Sequence, residues 1–400
     1  MTGGLRRFVG VSAAVTTVDA GLLVLLRMGA SWPVPLADAG AILAAAAVSY
    51  PLHREITFGD SPYARWVELP GAYVAVAAVA GAIDVGVVAG LSSMAAHPPG
   101  NVSELARVKV PALAAAAGFR AVAYRTVLAG DVQRDLADRR HHDPPIGTFR
   151  LSVVVPAYRE ADRIEATVRR LRADLAEVER AGGLEIVVVD DGSADGTAQA
   201  AWDGGADQVL EQPQNLGKGA ALRAGVRASR GATVAFVDAD LAYAPRQLLS
   251  LLAEVENGWD VAVGSRKHTQ TKTLVRAGRL REVGGRAINF ATHAVLLGRH
   301  RDTQCGIKAF RGDVGQRLFA ATRIDGFAID VELFHLVERY RLSLTEVPVE
   351  VENSARSTVK AGRDGLVLVS DLARIRRGGA QGWYREPVAH GSTRATTHPN

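Results

Sequence analysis

The chain has 400 residues, more than one average domain, so two or three folding units are expected. With 48% hydrophobic and 22% charged residues it is not a disordered chain, and its single cysteine, Cys305, excludes an intrachain disulfide. The formal charge of +5 fits nucleic acid, anionic lipid or a phosphorylated substrate as partner. No basic run is interleaved with aromatics, so no nucleic-acid partner is expected.

The apolar excess lies at the front. Phe8 to Met28, Leu36 to Leu52, Leu69 to Leu91 and Val108 to Leu128 are nearly uncharged. Each is ~17–23 residues, enough to cross a hydrocarbon core. A soluble bundle helix would show a polar stripe, which these runs lack. The second run is short and Ala-rich, the weakest span. The segment also repeats: Phe8 to Leu23 lines up with Tyr73 to Val88, matching Asp19 with Asp84 and Gly21 with Gly86. Two like hairpins predict a four-helix transmembrane bundle. A mid-span acid is costly and faces a partner or a polar cavity. Asp19 and Asp84 therefore mark either a polar site or an interhelical hydrogen bond.

Arg6, Arg7, His53, Arg54, Arg65, Arg125, Arg134, Arg139 and Arg140 fall on one side, against Arg27, Arg107 and Lys109 on the other. The charge bias predicts a multi-pass protein of the cell membrane with both termini and the soluble part cytoplasmic. No A-x-A site closes the first span and three more follow, so a cleaved signal peptide is not expected.

Arg7-Phe8-Val9-Gly10 and the run Ser49 to Phe58 resemble the GtrA-like membrane family, over about residues 5–130. That resemblance implies a small four-span unit associated with polyprenyl-phosphate sugars, assigned here to residues 1–130.

Asp131 to Thr148 reads as a helix end followed by a linker, 131–149. The texture then changes. Leu151 to Val155 is a short buried strand stopped by Pro156. Ile164, Val168, Leu171, Leu175 and Val178 repeat at helical spacing up to Gly182-Gly183. Leu184 to Val189 is a second strand and Thr233 to Val237 a third. Alternating strands and helices predict an α/β unit with a mainly parallel sheet, residues 150–352.

Acids follow two of these strands: Asp190 and Asp191, then Asp238 and Asp240. Ligands bind beyond the carboxyl ends of parallel strands. Asp238-Ala239-Asp240 places two hard oxygen donors on one side of an extended segment, a pair suited to Mg²⁺ or Mn²⁺ beside a diphosphate. Asn215-Leu-Gly-Lys218-Gly opens a helix. Its amides face an anion with Lys218 adding charge, or it is a simple helix start. It is not a Walker A loop, whose spacing is absent.

Together these residues resemble the family-2 inverting glycosyltransferases of the GT-A fold, over about residues 150–376. Pro156-Ala-Tyr158-Arg159-Glu160 is similar to the family's P-x-Y-N-E loop, with Arg159 in place of Asn. Val189-Asp-Asp-Gly-Ser193 with Asp195-Gly-Thr197 resembles V-D-D-G-S-x-D-G-T. Asn215, Gly217, Lys218, Gly219 and Asp238-Ala239-Asp240-Leu241 resemble the dolichyl-phosphate sugar synthase branch. Arg301 to Lys308 and Phe327 to Leu333 resemble most the dolichyl-phosphate glucosyltransferases.

The resemblance implies transfer of a sugar from a nucleotide sugar, UDP-glucose or else GDP-mannose or a UDP-N-acetylhexosamine, to a polyprenyl phosphate; the alternative of another class is a glycolipid transporter without catalysis. Glucose is the expected sugar, since mannosyl members often carry Gln where this chain has Ala242. The implied nucleotide-sugar site is Pro156, Tyr158, Glu160, Asp190, Asp191, Lys218, Asp238, Ala239 and Asp240, with the metal on Asp238 and Asp240. Arg266, Arg281, Gly285, Asp302, Gln304 and Arg356 are implied at the acceptor phosphate. Asp238, Asp240, Arg266 and Arg281 are the expected catalytic residues.

An already anionic acceptor needs no protein base. No Q-x-x-R-W and no Glu-Asp pair of the processive synthases is present. Arg276, Arg279 and Arg286 grip phosphate too, or form a solvated basic face. Residues 353–377 are expected to carry an acceptor-side loop and an amphipathic helix, lying on the membrane or packed on the sheet. Residues 378–400 are expected to be disordered, and a homo-oligomer is compatible with the chain.

Overall fold

The computed structural model describes residues 3–52, 70–95, 99–139, 145–266, 292, 296, 298, 300, 302–351 and 363–384. Among the described residues the helices α1 Gly3–Val24, α2 Val34–Leu52, α3 Pro70–Met94 and α4 Val102–Ala137 come first. The stretches Val74–Met94 and Val102–Ala137 are long and apolar enough to cross a membrane, and Val34–Ser49 is apolar but shorter. α4 begins earlier than its apolar run, capped by the Asn101 side chain, which accepts from the Glu104 amide at 2.9 Å. It continues through Pro111 and ends seven residues into the segment expected to lead to the linker. Val132 and Leu136 explain that extension, because both are buried in the core of the following domain.

Lys109 corrects the reading of the bundle's charges. It lies within α4 and not in a loop. It is buried, and its ammonium meets Asp19, Asp38 and Asp84. The two aspartates matched by the internal repeat thus share one partner.

Among the described residues the second domain has a seven-stranded sheet: β1 Phe149–Ala157, β2 Leu184–Asp190, β3 Gln208–Glu211, β4 Gly231–Val237, β5 Val261–Ser265, β6 Ile307–Arg311 and β7 Leu344–Pro348. The strand order is β3-β2-β1-β4-β6-β5-β7. The β1, β2, β3 and β4 pairings and the β5–β7 pairing are parallel, while β6 runs against both β4 and β5. β1 does not stop at Pro156. Its pairing with β4 ends at Val154, so at Pro156 only the β2 side carries a ladder and the missing N–H is tolerated.

Helices cover both faces. α5 Ile164–Asp174, α6 Ala176–Arg180, α7 Thr197–Asp203 and α9 Leu248–Glu256 belong to one side. There Ile164, Val168, Leu171, Leu175 and Val178 are all buried, as their helical spacing predicts. α8 Lys218–Ala228, α10 Gly312–Ala321, α11 Ile329–Arg339 and α12 Arg363–Gln381 belong to the other. α12 packs on the protein: Leu372 and Ile375 are buried, and the Tyr384 hydroxyl donates to Glu332 at 2.6 Å. Residues 378–384, expected to be disordered, instead finish this helix and bury Tyr384. An apolar face spaced for a membrane serves equally well against a core.

Candidate active site

The site forms where β1, β2 and β4 end. Beyond β1, the chain turns through Arg159, whose φ is +58°. Its amide donates to Ser193 Oγ at 2.8 Å, and the Glu160 amide donates to Thr197 Oγ1 at 3.0 Å. Thr197 in turn donates to Asp195 at 2.6 Å. The loop after β2 therefore pins the loop after β1. Left-handed backbone suits Asn far better than Arg, which explains the residue type of the P-x-Y-N-E pattern. Arg159 lies 5.1 Å from the Tyr158 ring centroid. Loss of surrounding water pushes the Glu160 carboxyl above its ordinary range, despite Arg163 at 2.6 Å.

Asp190 accepts from the Ser193 amide at 3.0 Å. With Ser193, Gln199 and the half-exposed Trp202 it lines a cavity of about 420 Å³. Asp191 turns the other way. Its two oxygens accept the Leu216 and Gly217 amides, each at 2.8 Å. The anion met by the amides of the Asn215–Gly219 loop is thus the protein's own carboxylate. Gly217 has φ +103°, and a methyl at Gly217 or Gly219 would overlap the backbone at Asp325 or Ile324.

Lys218 and Asp238 then meet, Nζ to Oδ1, at 2.7 Å. Burial of Lys218 works against its charge, but Asp238 and then Asp330 outweigh it and push its pKa up. Thr167 Oγ1 holds the Ala239 carbonyl at 2.7 Å, and Leu241 takes a left-handed conformation at φ +46°. Asp240 Oδ1 accepts the Ala242 amide at 3.1 Å. Gly306 faces Asp238 Oδ2 so closely that a methyl would overlap it.

Beneath lies a second pair: Lys308 Nζ reaches Asp330 Oδ1 at 2.6 Å and the Cys305 carbonyl at 2.7 Å. Both ammonium groups, of Lys218 and Lys308, lie within 6 Å of the centroid of the Phe236 ring.

The donor set fits a hard divalent cation. Two carboxylates, Asp238 and Asp240, end one segment, and in each the oxygen opposite Oδ1 accepts no hydrogen bond among the described residues. No group of three or more His, Cys, Asp or Glu among the described residues is arranged to hold a metal alone. Diphosphate oxygens and water are needed to complete six places.

Arg266 forks onto Asp302, Nε to Oδ2 at 2.7 Å and Nη2 to Oδ1 at 2.8 Å. Burial would raise the Asp302 carboxyl, yet Arg266 holds it below the usual range. The two residues expected at the acceptor thus face each other, and Asp302 orients Arg266. The Gln304 amide donates to Asp302 at 3.2 Å, while its buried Nε2 has no hydrogen-bond partner in the described structure. Arg276, Arg279, Arg281, Gly285, Arg286 and Arg356 lie outside the described residues.

Sequence reasoning missed Trp202, Gly306, Lys308 and Asp330 as site residues. Lys308 and Asp330 stand inside motifs already singled out, Arg301 to Lys308 and Phe327 to Leu333. Their ion pair is what the two motifs have in common.

Two family models match: "GtrA/DPMS, transmembrane domain" over residues 7–125 and "Glycosyl transferase family 2" over residues 152–319. A dolichyl-phosphate beta-glucosyltransferase of Drosophila melanogaster is 33% identical over 244 residues, covering 55% of this chain and 74% of that protein. The protein of the same name from Homo sapiens is 31% identical over 243 residues, covering 55% and 75%. That of Saccharomyces cerevisiae is 29% identical over 279 residues, covering 64% and 82%.

Proposed function

The chain belongs to the family-2 glycosyltransferases related to dolichyl-phosphate beta-glucosyltransferases, and from that membership we propose that it transfers glucose from UDP-glucose to a polyprenyl phosphate. It is a membrane protein that moves a sugar from a nucleotide to a lipid phosphate. The glucose assignment rests on the identity with beta-glucosyltransferases and on Ala242, where mannosyl members often carry Gln. The bias of Arg and Lys towards one side of the spans supports a cytoplasmic location for both termini and the transferase domain.

One observation supports the mechanism: three of the carboxylates around the site are already engaged, while Asp240 keeps one oxygen free of hydrogen bonds among the described residues and is assigned to the metal. Asp191 holds two backbone amides, Asp302 holds Arg266 and Asp238 holds Lys218. A hydroxyl acceptor would need a free base, whereas a phosphate arrives ionised. An acceptor phosphate oxygen forms the new bond to the anomeric carbon from the face opposite the departing diphosphate. The glycosidic C–O bond breaks, and its electron pair leaves with the nucleotide.

A divalent ion on Asp238 and Asp240 supplies charge to the leaving diphosphate when bound. Lys218 adds fixed positive charge beside it. Arg266, aimed by Asp302, is assigned to the incoming phosphate, and Arg281 is assigned to the same phosphate on the sequence resemblance alone. Pro156, Tyr158, Glu160 and Asp190 shape the nucleotide side.

The test is incubation of purified full-length protein with polyprenyl phosphate and a panel of radiolabelled nucleotide sugars. Transfer from UDP-glucose, abolished by chelator and reduced by orders of magnitude in Asp240→Asn, is expected. Transfer from GDP-mannose alone would remove the glucose assignment. No transfer from any donor would remove the enzymatic reading and favour a protein that only binds or moves the glycolipid.

A further inference from the structure

Each helix of the bundle contributes one charged side chain to a single buried point. Lys109 Nζ of α4 is 2.6 Å from Asp38 Oδ1 of α2, 3.0 Å from Asp19 Oδ2 of α1 and 3.2 Å from Asp84 Oδ1 of α3. All four side chains are more than nine-tenths buried, and Asp38 is wholly so. Three carboxylates thus face one ammonium, leaving two formal negative charges without a counter-ion in the cluster. Arg120, further along α4, also acts on Asp84.

Two oxygens at this point, Asp19 Oδ1 and Asp38 Oδ2, are buried and have no hydrogen-bond partner among the described residues. An ionised oxygen in that position is costly, and like carboxylates sharing one site do not all ionise. A proton removes both difficulties: it cancels a charge and turns an unpaired acceptor into a donor for the neighbouring carboxylate.

The position in the bundle says where such a proton exchanges. Asp38 is the fifth residue of α2 and Lys109 the eighth of α4. At ~1.5 Å per residue, both lie ~6–11 Å from the ends of their helices. Those ends carry the α1–α2 and α3–α4 connections. The opposite end of α4 enters the transferase domain through Val132 and Leu136. The cluster therefore sits in the half of the bundle away from the catalytic chemistry.

We propose that Asp19, Asp38, Asp84 and Lys109 form a proton-binding site in the membrane bundle. At neutral pH it holds one or two protons shared among the three carboxylates, and it exchanges them with the side away from the transferase domain. When the protons leave, like charges on α1, α2 and α3 repel across Lys109 and the packing of those helices loosens.

The experiment is infrared spectroscopy of the full chain in lipid nanodiscs, reading the carboxylic-acid C=O band at neutral pH. Buried carboxyls of the transferase domain absorb in the same region, so the reading is the difference between wild type and variant. Asp38→Asn is expected to lose part of the acid band. Lys109→Gln is expected to gain intensity, because all three acids must then be neutral.

If Asp38→Asn does not fold, Asp19→Asn and Asp84→Asn each remove another member of the set and give the same reading. In oriented proteoliposomes, raising the pH only on the side away from the transferase domain should remove the same component in the wild type. An acid band identical in wild type and the folded Asn variants means that all three groups are ionised, and overturns the proposal. So does a band that responds to pH only from the transferase side.

Discussion

Lys218 Nζ and Asp238 Oδ1 stand 2.7 Å apart, joining the first residue of α8 to the residue just beyond β4. The contact brings two separate sequence motifs to one point. It also means that one oxygen of the candidate metal-binding carboxylate already has a cation. The lysine therefore sets how much negative charge remains for a metal before the nucleotide arrives.

Replacing that lysine should shift two affinities in opposite directions. In Lys218→Gln, Asp238 and Asp240 bind Mn²⁺ alone about tenfold more tightly, on the scale of ~1.4 kcal/mol. The nucleoside diphosphate binds more weakly because a fixed cation is gone, and turnover falls by ~100-fold or more. Calorimetric titration of Mn²⁺ and of the nucleotide, run separately, reads both signs. Loss of both affinities together would show that Lys218 only holds the fold.

Arg266 and Asp302 should respond asymmetrically. Asp302 is buried whereas Arg266 is partly exposed. Arg266→Ala leaves a lone buried carboxylate and is expected to cost ~3 kcal/mol. Asp302→Asn leaves a guanidinium that water still reaches and costs ~1 kcal/mol. Denaturant unfolding of both variants and the double variant checks this. Equal costs would mean that the pair stabilises through packing rather than through charge.

His335 supplies a pH dependence of stability. Burial lowers its imidazole from the ordinary 6.5 to about 4, Arg339 adding to the effect and Glu338 opposing it. The ring packs at 5.4 Å from Tyr384, which follows α12. It is neutral when folded and takes a proton near 6.5 when unfolded, so the unfolded state gains as pH falls. Stability should therefore drop between about pH 6.5 and 4 and level off below, by ~3 kcal/mol in all. His335→Gln should flatten that part of the curve in denaturant unfolding of the full chain. An unchanged slope would place the acid sensitivity elsewhere.

Arg159 is held in a left-handed backbone conformation that costs an ordinary residue ~1–2 kcal/mol. Arg159→Asn should recover ~0.5–1 kcal/mol of stability in thermal unfolding. The hydrogen bond from this amide to Ser193 should persist, since it uses only backbone on this side. A loss of stability would mean that the contact with the Tyr158 ring outweighs the strain.

Local pattern made much of this protein legible. The periodicity of Ile164 to Val178 predicts a helix, and the runs before Asp190 and Asp238 predict strands ending in acids, because burial imposes a period on any chain that folds. The internal repeat paired Asp19 with Asp84, and the ordered motifs placed Asp238 and Asp240 at one strand end. None of these readings needs information from a distant residue.

What the tertiary structure decided is which charges face which. Asp191 reads as a ligand residue in sequence but spends both oxygens on the Leu216 and Gly217 amides. Asp302, expected beside a phosphate, has both oxygens on the Arg266 guanidinium. Lys109 looked like an edge residue until three other helices delivered Asp19, Asp38 and Asp84 to it. Lys308 and Asp330 meet from β6 and α11, 22 residues apart. β6 itself is antiparallel, since strand direction depends on the route of the chain and not on the five residues that form it. Sequence shows that a charge is present in an apolar setting. Only the three-dimensional approach of its partners decides whether it is a ligand, a brace or a proton site, because electrostatic interactions act through space between residues that periodicity cannot relate.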